Sequence, residues 1–532
     1  MDSPKRIAIL AVVPAGLFCL SLVLGSIIGP FHLGGNSDPC YAYLLNSLNI
    51  LRFTTPQHID NPGTPLQSLG AVVVLGRWLY TCILGRGMPL QDSVLTNPEG
   101  YLQAIRLTLC LLISAASFLA GRAVLRTRNH LLPAVTLQAT FLMFLFPAWM
   151  LGGVAPSPLV AFAALSLACV LAPEALARNS GLSGLAFGRP VAAGVVLGFG
   201  VATHLAFSPL LVLILLFERT ARKLVAFFSC CASFVFFTLP IYTRYRGLLG
   251  WIRDVLIHKG KYGHGEVGIP GARELLANVE ALYREEPALY VLLGLYLFVL
   301  LVLRFCRPER NRRSLTTLQK ALFVGCLTIA AHVAIVAKHP DTHYLLPSII
   351  LTGLLNAAVI SVLQELGARR ALTLAVAAVT LGVFGWSLIH AYGRLNWFAG
   401  YANARRVEQI RTLDAAEARP GCYRIGYYRS SLPEFALDFG NYYAGRAYSD
   451  RLDQLYPRAL FYDIWSKKFY SFFRRGSEEA RIRQLLGRGD CLIMCGTPFS
   501  PQDAQARGLN LELIADNGKE AAYRLVGLRS GE

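Results

Sequence analysis

Residues 101–128 read YLQAIRLTLCLLISAASFLAGRAVLRTR. An apolar run long enough to cross a bilayer, Tyr101–Ala120, passes directly into Gly121-Arg122-Ala123-Val124-Leu125-Arg126-Thr127-Arg128. Arginines gathered at one end of a span mark its cytoplasmic end. The segment therefore runs inward, and it sets the direction of its neighbours. Upstream, Lys5 and Arg6 precede the apolar run Ile7–Ile28, which ends in Gly29-Pro30-Phe31-His32. That run is too long for a secretory signal core, so it reads as a retained first helix with a cytoplasmic N-terminus. An outward span followed by an inward one leaves residues 30–100 as a single long outer loop. The apolar stretch Leu66–Leu84 inside it then reads as a helix lying at, or dipping into, the outer interface.

The rest of the chain follows the same alternation. Of its 532 residues, 54% are hydrophobic and 16% charged, and its mean hydropathy is +0.45. A soluble chain carries about a quarter charged residues. Repeated apolar runs make this an α-helical multi-pass membrane protein, since barrel strands alternate and score weakly. After 7–28 and 101–120, spans are expected at 131–150, 156–173, 189–203, 205–217, 223–241, 288–304, 318–337, 344–363 and 371–391, eleven in all. The inside loops between them carry Arg178; Arg219, Arg222 and Lys223; Arg304, Arg307, Arg310, Arg312 and Arg313; and Arg369 and Arg370. The formal charge of +19 thus reflects topology and contact with anionic lipid rather than a nucleic-acid partner.

From about Gly393 the composition turns polar, with strand-like runs at Cys422–Tyr428, Cys491–Cys495, Leu511–Ala515 and Ala521–Val526. The segment 393–532 is read as a small α/β domain on the outer side, after a transmembrane domain over 1–392. Most of the twelve cysteines lie in apolar runs, with no CxxC or zinc-finger spacing. On one strand Cys491 and Cys495 would stand about 13 Å apart, too far to bridge. Cys422 pairs with either only if their strands are neighbours.

Three outer loops collect the polar residues. The first holds Asp38, Arg52, His58 and Asp60; the second, 242–287, holds His258, Lys259, Lys261, Tyr262, His264 and Glu266; the third holds Lys338, His339, Asp341 and His343. Charges kept at a membrane rim are costly, and their gathering on one face marks a candidate site. Each also has a plain structural reading. Asp38 before Pro39 suits a helix cap as well as a catalytic carboxylate. Asp60 lies among turn formers. Lys338 at a helix end is placed to snorkel. His339-Pro340-Asp341-Thr342-His343 has the residue types of a two-histidine, one-carboxylate metal site, but Pro340 and a loop setting weigh against it. A transporter or flippase of lipid-linked sugar is the alternative class. It would bury paired charges at mid-span or repeat its halves, and no repeat is seen.

The motifs in order resemble the GT-C superfamily of integral-membrane glycosyltransferases. The likeness is to the bacterial branch similar to aminoarabinose and galacturonic-acid transferases and to protein mannosyltransferases. It rests on Ser37-Asp38-Pro39-Cys40-Tyr41 after the first span, Asn61-Pro62-Gly63-Thr64-Pro65-Leu66, Arg106 with Gly121-Arg122, His258-Lys259-Gly260-Lys261-Tyr262, and Lys338-His339 before His343-Tyr344-Leu345-Leu346-Pro347. It covers residues 7–391. The resemblance implies a polyprenyl-phosphate-linked sugar donor, a lipid, glycan or protein acceptor, and transfer at the outer face of a bacterial inner membrane. Asp38 would be the catalytic base. Lys338, Lys259 and Lys261, with His258 and His339, would hold the phosphate. Arg106 would brace the first loop through Asp38 or Asp60, His58 and Asp60 would shape the acceptor side, and Tyr262 and His343 would line the site. No resident cofactor is expected; a divalent ion shared by Asp38, Asp60 and His343 is the reading not favoured.

Overall fold

A computed structural model of the chain describes residues 3–33, 37–85, 87–142, 153–177, 187–259, 265–268, 270–305, 312–366, 382, 389, 393, 400, 404, 406–416, 421–473 and 477–529. The expected span 371–391, the last part of 131–150, the loop residues Gly260–His264 and the boundary near 392 lie outside the described residues, apart from positions 382 and 389. Eight described helices are long and apolar enough to cross a membrane, and two shorter apolar segments, Gly188–Thr203 and Leu205–Leu216, accompany them.

The membrane helices begin with α1 (Pro4–Ile28), capped by the Ser3 hydroxyl, which accepts from the Arg6 amide. The first-loop elements α2 (Ser37–Leu51), α3 (Thr64–Ile83) and α4 (Leu90–Thr96) precede α5 (Pro98–Arg128). Then come α6 (Leu131–Leu142), α7 (Pro156–Leu176), α8 (Gly188–Thr203), the 3₁₀ segment Leu205–Leu216 and α9 (Thr220–Thr238). The last group is α10 (Tyr245–Ile257), α11 (Ala272–Glu285), α12 (Pro287–Phe305), α13 (Arg312–Val336) and α14 (Leu346–Glu365). Helix α14 is buried along its length among α6, α7 and α13. Large apolar side chains such as Leu111, Phe228, Phe236, Phe298 and Phe323 point outward, as lipid-facing positions do.

Ion pairs and cap contacts fix which helix ends lie together. Arg128, buried at the end of α5, reaches Glu365 at the end of α14 (2.7 Å) and the Leu176 carbonyl at the end of α7 (3.1 Å). Glu174 of α7 pairs with Arg222 at the start of α9 (2.7 Å) and Arg189 at the start of α8 (3.4 Å). Lys320 near the start of α13 donates to the Leu216 carbonyl (2.8 Å), and Arg6 at the start of α1 donates to Asn129 after α5 (3.1 Å). One face of the bundle is thus basic and acid-neutralised. The end of α1, the start of α5, the end of α13 and the start of α14 lie at the other.

On that second face α3 does not run the length of α5. Gly70 lies against Ser47 and Ile105, while Arg77 lies against Gly100 and over the Tyr101 ring at 5.4 Å. Both contacts fall near the start of α5 and run antiparallel to it, and α3, expected at the outer interface, is itself one of the eight helices long and apolar enough to cross a membrane.

The C-terminal part forms one six-stranded sheet, order β3-β2-β1-β4-β6-β5. Its strands are β1 (Tyr423–Gly426), β2 (Ala459–Asp463), β3 (Lys468–Tyr470), β4 (Leu492–Gly496), β5 (Leu509–Asp516) and β6 (Ala521–Leu528). Strands β1, β2 and β4 are parallel; the rest pair antiparallel. Its helices are α15 (Pro433–Tyr443), α16 (Ser449–Leu455), α17 (Glu479–Gly487) and α18 (Pro501–Ala506). Strands β2 and β3 carry no strand expectation in the sequence, since Ala459–Asp463 is bounded by charged loops and too short to register as a pattern. Because β1 and β4 are neighbours, Cys422 and Cys491 meet at a Cα separation of 4.5 Å and form a disulfide, while Cys495 stays buried and unbridged.

This domain docks on the first loop. Helix α15 lies along α2, where Asn46 donates to the Tyr443 carbonyl (3.1 Å), Asn49 to the Ala444 carbonyl (3.2 Å), and the Tyr448 hydroxyl to Asn49 (2.7 Å). Arg451 grips Asp92 of α4 with both nitrogens, at 2.7 and 2.6 Å. Apolar side chains of α2, α3, α4 and α5 share one core with Ala436, Leu437, Leu452 and Phe461.

Candidate active site

Asp38 stands at the start of α2 with extended backbone angles (φ −92°, ψ 121°), so the helix proper begins after it. These are the angles of a residue in the N-cap position before Pro39, so the capping and catalytic readings of Asp38 both stand. The carboxylate opens to solvent, yet the protein around it strips part of its hydration and raises its pKa above the ordinary value of 3.8. Five residues along, Tyr43 is buried. Desolvation first, then the negative charges of Asp60 and Asp38, push its hydroxyl pKa upward, so both carboxylates bear on one phenol.

His58 lies between two aromatic rings, edge-on to Tyr43 at 5.2 Å and to Tyr443 at 5.1 Å. The second ring comes from the C-terminal domain. Burial lowers the His58 pKa, with Asp60 acting weakly the other way, and its Nδ1 is buried with no partner. Asn46 holds the turn in place: its Oδ1 accepts from the Gln57 amide (2.7 Å) and the His58 amide (3.4 Å), while Gln67 donates to the His58 carbonyl (2.7 Å).

Glu99, at the start of α5, anchors the approach to Asp38. Its carboxylate accepts from the Phe31 amide (2.9 Å), the His32 amide (3.0 Å) and the Tyr41 hydroxyl (2.9 Å), and pairs with His32 Nδ1 (3.0 Å). One side chain thereby ties the end of α1 and the start of α2 to α5. Sequence reading missed Glu99, Asn46 and Asn49. Each sits in an apolar or helix-start context that gives no chemical signal, and each works through contacts distant in the chain.

The second and third loops meet at the end of α10. Lys338 donates to the Val255 carbonyl (2.6 Å) and the Leu256 carbonyl, the negative end of that helix. Desolvation lowers its pKa. The next residues turn back: His258 bridges Val267, and Lys259 lies 3.6 Å from Glu266. The first loop reaches the same helix, with Thr55 and Thr243 hydroxyls 3.1 Å apart and Ile59 packed on Gly247. All three loops therefore converge on one face through α10. Lys261 and Tyr262 lie outside the described residues.

One expectation changes. Arg106 does not brace Asp38 or Asp60. Its guanidinium occupies the space left by Gly25 of α1, within 3.5 Å of the Ser21 carbonyl, because helix packing carries it toward α1 and away from the loop. In the 339–343 segment, where the metal reading is not the favoured one, His343 bonds Asp341 and lies tilted against the Tyr344 ring (3.9 Å), and among the described residues no three His, Cys, Asp or Glu side chains gather as ligands. His339 lies at the turn after α13, its amide bonded to the Val336 carbonyl (2.9 Å).

Comparison with solved structures matches the arrangement of helices, loop face and terminal sheet. ArnT from Cupriavidus metallidurans, in a structure bound to undecaprenyl phosphate, superposes with a TM-score of 0.50 over 98% of each chain, at 13% sequence identity. The chain has an ArnT-like fold. The multi-pass helical architecture expected from the apolar runs, with the C-terminal α/β sheet expected from the strand-like runs of the tail, is thus borne out by shape along the whole length. No protein-family model matches the chain, and no curated protein matches it by sequence.

Proposed function

We propose that this protein is a polyprenyl-phosphate-dependent glycosyltransferase that moves a sugar to a lipid, glycan or protein acceptor at the outer face of the membrane. The observation that carries the reading is the exposed, partly desolvated Asp38 carboxylate on the face where two lysine-bearing loops converge. The ArnT-like fold supports it, and undecaprenyl phosphate bound to that relative is the class of lipid the reading needs.

The chemistry follows from charge. An acceptor hydroxyl or amine attacks the anomeric carbon as its bond to the lipid phosphate oxygen breaks. Asp38 takes the acceptor proton, and a raised proton affinity suits that work. The departing polyprenyl phosphate gains negative charge and needs cations beside it. Lys338 spends two of its three N–H donors on α10 carbonyls and keeps one to give. Lys259 and Lys261, with His258 and His339, are the other donors. In-line attack inverts the anomeric centre. His58 and Asp60 shape the acceptor side together with Tyr443.

Orientation is part of the proposal. Disulfides persist outside the cytosol, so the Cys422–Cys491 bridge supports a C-terminal domain on the outer side of a bacterial inner membrane. The basic helix ends on the opposite face agree with it.

The test is steady-state transfer with Lys338→Ala in proteoliposomes. The KM for the lipid-linked donor is expected to rise about tenfold or more, for loss of a charge-assisted bond, with the acceptor KM unchanged. Equal effects on both substrates would assign Lys338 to capping α10 alone.

A further inference from the structure

The edge of the terminal sheet presents a second set of residues that transfer at Asp38 does not use. Strands β1 and β4 are parallel neighbours, but the chain leaves them in opposite directions: from β1 through α15 and α16 to β2, and from β4 through α18 to β5 and β6. In open α/β sheets the crevice at the carboxyl ends of such a strand pair is where ligands bind. Here that edge is built by Tyr427–Leu432 after β1, Ile464–Lys467 after β2 and Thr497–Ser500 after β4.

The loops are braced. The Thr497 amide and hydroxyl both donate to the Tyr428 carbonyl at 3.0 Å, and the Tyr427 hydroxyl donates to the Thr497 carbonyl at 2.8 Å. The Trp465 amide donates to Asp463 at 2.9 Å, and Arg507 donates to the Ile464 carbonyl. What they hold up is aromatic and basic. Trp465 is 76% exposed and stands edge-on to Tyr428 at 5.4 Å. The Arg429 guanidinium lies 5.2 Å from the Tyr428 ring, and no carboxylate among the described residues pairs with it. Arg429 and Lys467 both hold left-handed backbone, at φ 60° and 57°. That conformation is unfavourable for such residues and persists where the surroundings fix it.

We propose that Trp465, Tyr428 and Arg429, with Lys467 beside them, bind a carboxylate-bearing saccharide. Flat aromatic faces suit the C–H faces of sugar rings, and a guanidinium without an acid partner suits a carboxylate, which it binds through two parallel N–H donors. A lipid anchor would need apolar area around the tryptophan. In sequence Trp465 is followed by Ser466, Lys467 and Lys468 and preceded by the partly buried Ile464, and Tyr428, its ring partner, carries Arg429 and Thr497 beside it. Placement fits as well. Gly440 meets Tyr41, Tyr443 meets Asn46 and Ala444 meets Asn49, so α15 and α2 run in the same sense. The start of α15, and the loop carrying Tyr428 and Arg429, therefore lie toward the Asp38 end of α2. Delivery of the saccharide as acceptor rests on the transferase reading; the binding does not.

The experiment uses the full chain in nanodiscs, titrated calorimetrically with trigalacturonic acid and with neutral maltotriose. Trigalacturonic acid is expected to bind with a dissociation constant below about 1 mM, and maltotriose about tenfold more weakly or worse. Trp465→Ala and Arg429→Gln should each weaken trigalacturonic acid at least about tenfold, with the melting profile unchanged and Trp465→Phe keeping most of the affinity. Absence of binding at about 10 mM, equal affinity for the two sugars, or unchanged affinity in both variants overturns the proposal. So does quenching of the Trp465 fluorescence by brominated lipid in the disc, which would seat the ring in the bilayer. Native mass spectrometry with undecaprenyl phosphate separates the two readings. Trp465→Ala should still bind that lipid, so loss of saccharide binding leaves the transferase proposal untouched.

Discussion

Asp38 combines an exposed position with a carboxylate that no cation among the described residues neutralises. Desolvation raises its pKa above 3.8, and in the proposed mechanism the deprotonated form is the base. The rate falls as pH drops through that raised value. The acid limb of kcat/KM is therefore expected above pH 3.8 and at a higher pH than an unperturbed aspartate would give, as a pH–rate series would record. An acid limb at or below the ordinary value would remove Asp38 from that role. Glu99 acts through position rather than chemistry. With Glu99→Ala, the Phe31 and His32 amides and the Tyr41 hydroxyl lose their acceptor, so thermal stability should fall by roughly 1–3 kcal/mol. Transfer should drop by up to about a hundredfold, in kcat more than in KM, with partial recovery in Glu99→Gln. Normal kcat in the alanine variant would mean that the start of α2 holds its place without this carboxylate. Asp38 could be singled out only through the family resemblance, because on its spacing alone a helix cap explains it equally well. Glu99 could not, since a glutamate in the first turn of a helix has a sufficient local explanation.

At the scale of elements, the α2–α15 contact joins the terminal domain to the first loop. A Cβ on Gly440 would sit 2.7 Å from the Tyr41 carbonyl oxygen, inside contact distance with backbone that cannot swing away. Gly440→Ala should push α15 off α2, destabilise the docked domain by about 1–3 kcal/mol and speed its release by limited proteolysis. Wild-type protease resistance would show that the contact relaxes at no cost. The long apolar helices among the described residues and four of the six strands were legible because each carries its own hydrophobic pattern. The sheet edge β2–β3, the partnership of Cys422 with Cys491 and the docking of α15 were not. Strand order and long-range register decide them, and no local pattern encodes either. Arg106 shows the same limit from the other side, because its neighbour Gly25 lies on a different helix.

For the whole molecule, the account is one of faces. Ion pairs gather the basic helix ends at one face, and the three polar loops with the terminal domain gather at the other. In intact cells, a tag after Glu532 should be reached from the outer side, and Cys422 and Cys491 should resist maleimide until a reductant is added. A tag seen only after permeabilisation would reverse the topology and move the polar face to the cytoplasm. The alternation of basic loops made this organisation readable from the sequence; the convergence of the loops on α10 needed the packed structure. The central claim is that Asp38 drives sugar transfer from a polyprenyl phosphate. The most direct measurement follows labelled sugar leaving polyprenyl-phosphate donors in proteoliposomes of wild-type and Asp38→Asn protein, with native mass spectrometry of bound lipid alongside. The account predicts that the variant still binds the lipid but loses about 10²–10⁴-fold in transfer. Transfer by Asp38→Asn at the wild-type rate, or a wild-type protein that binds no polyprenyl phosphate, would contradict it.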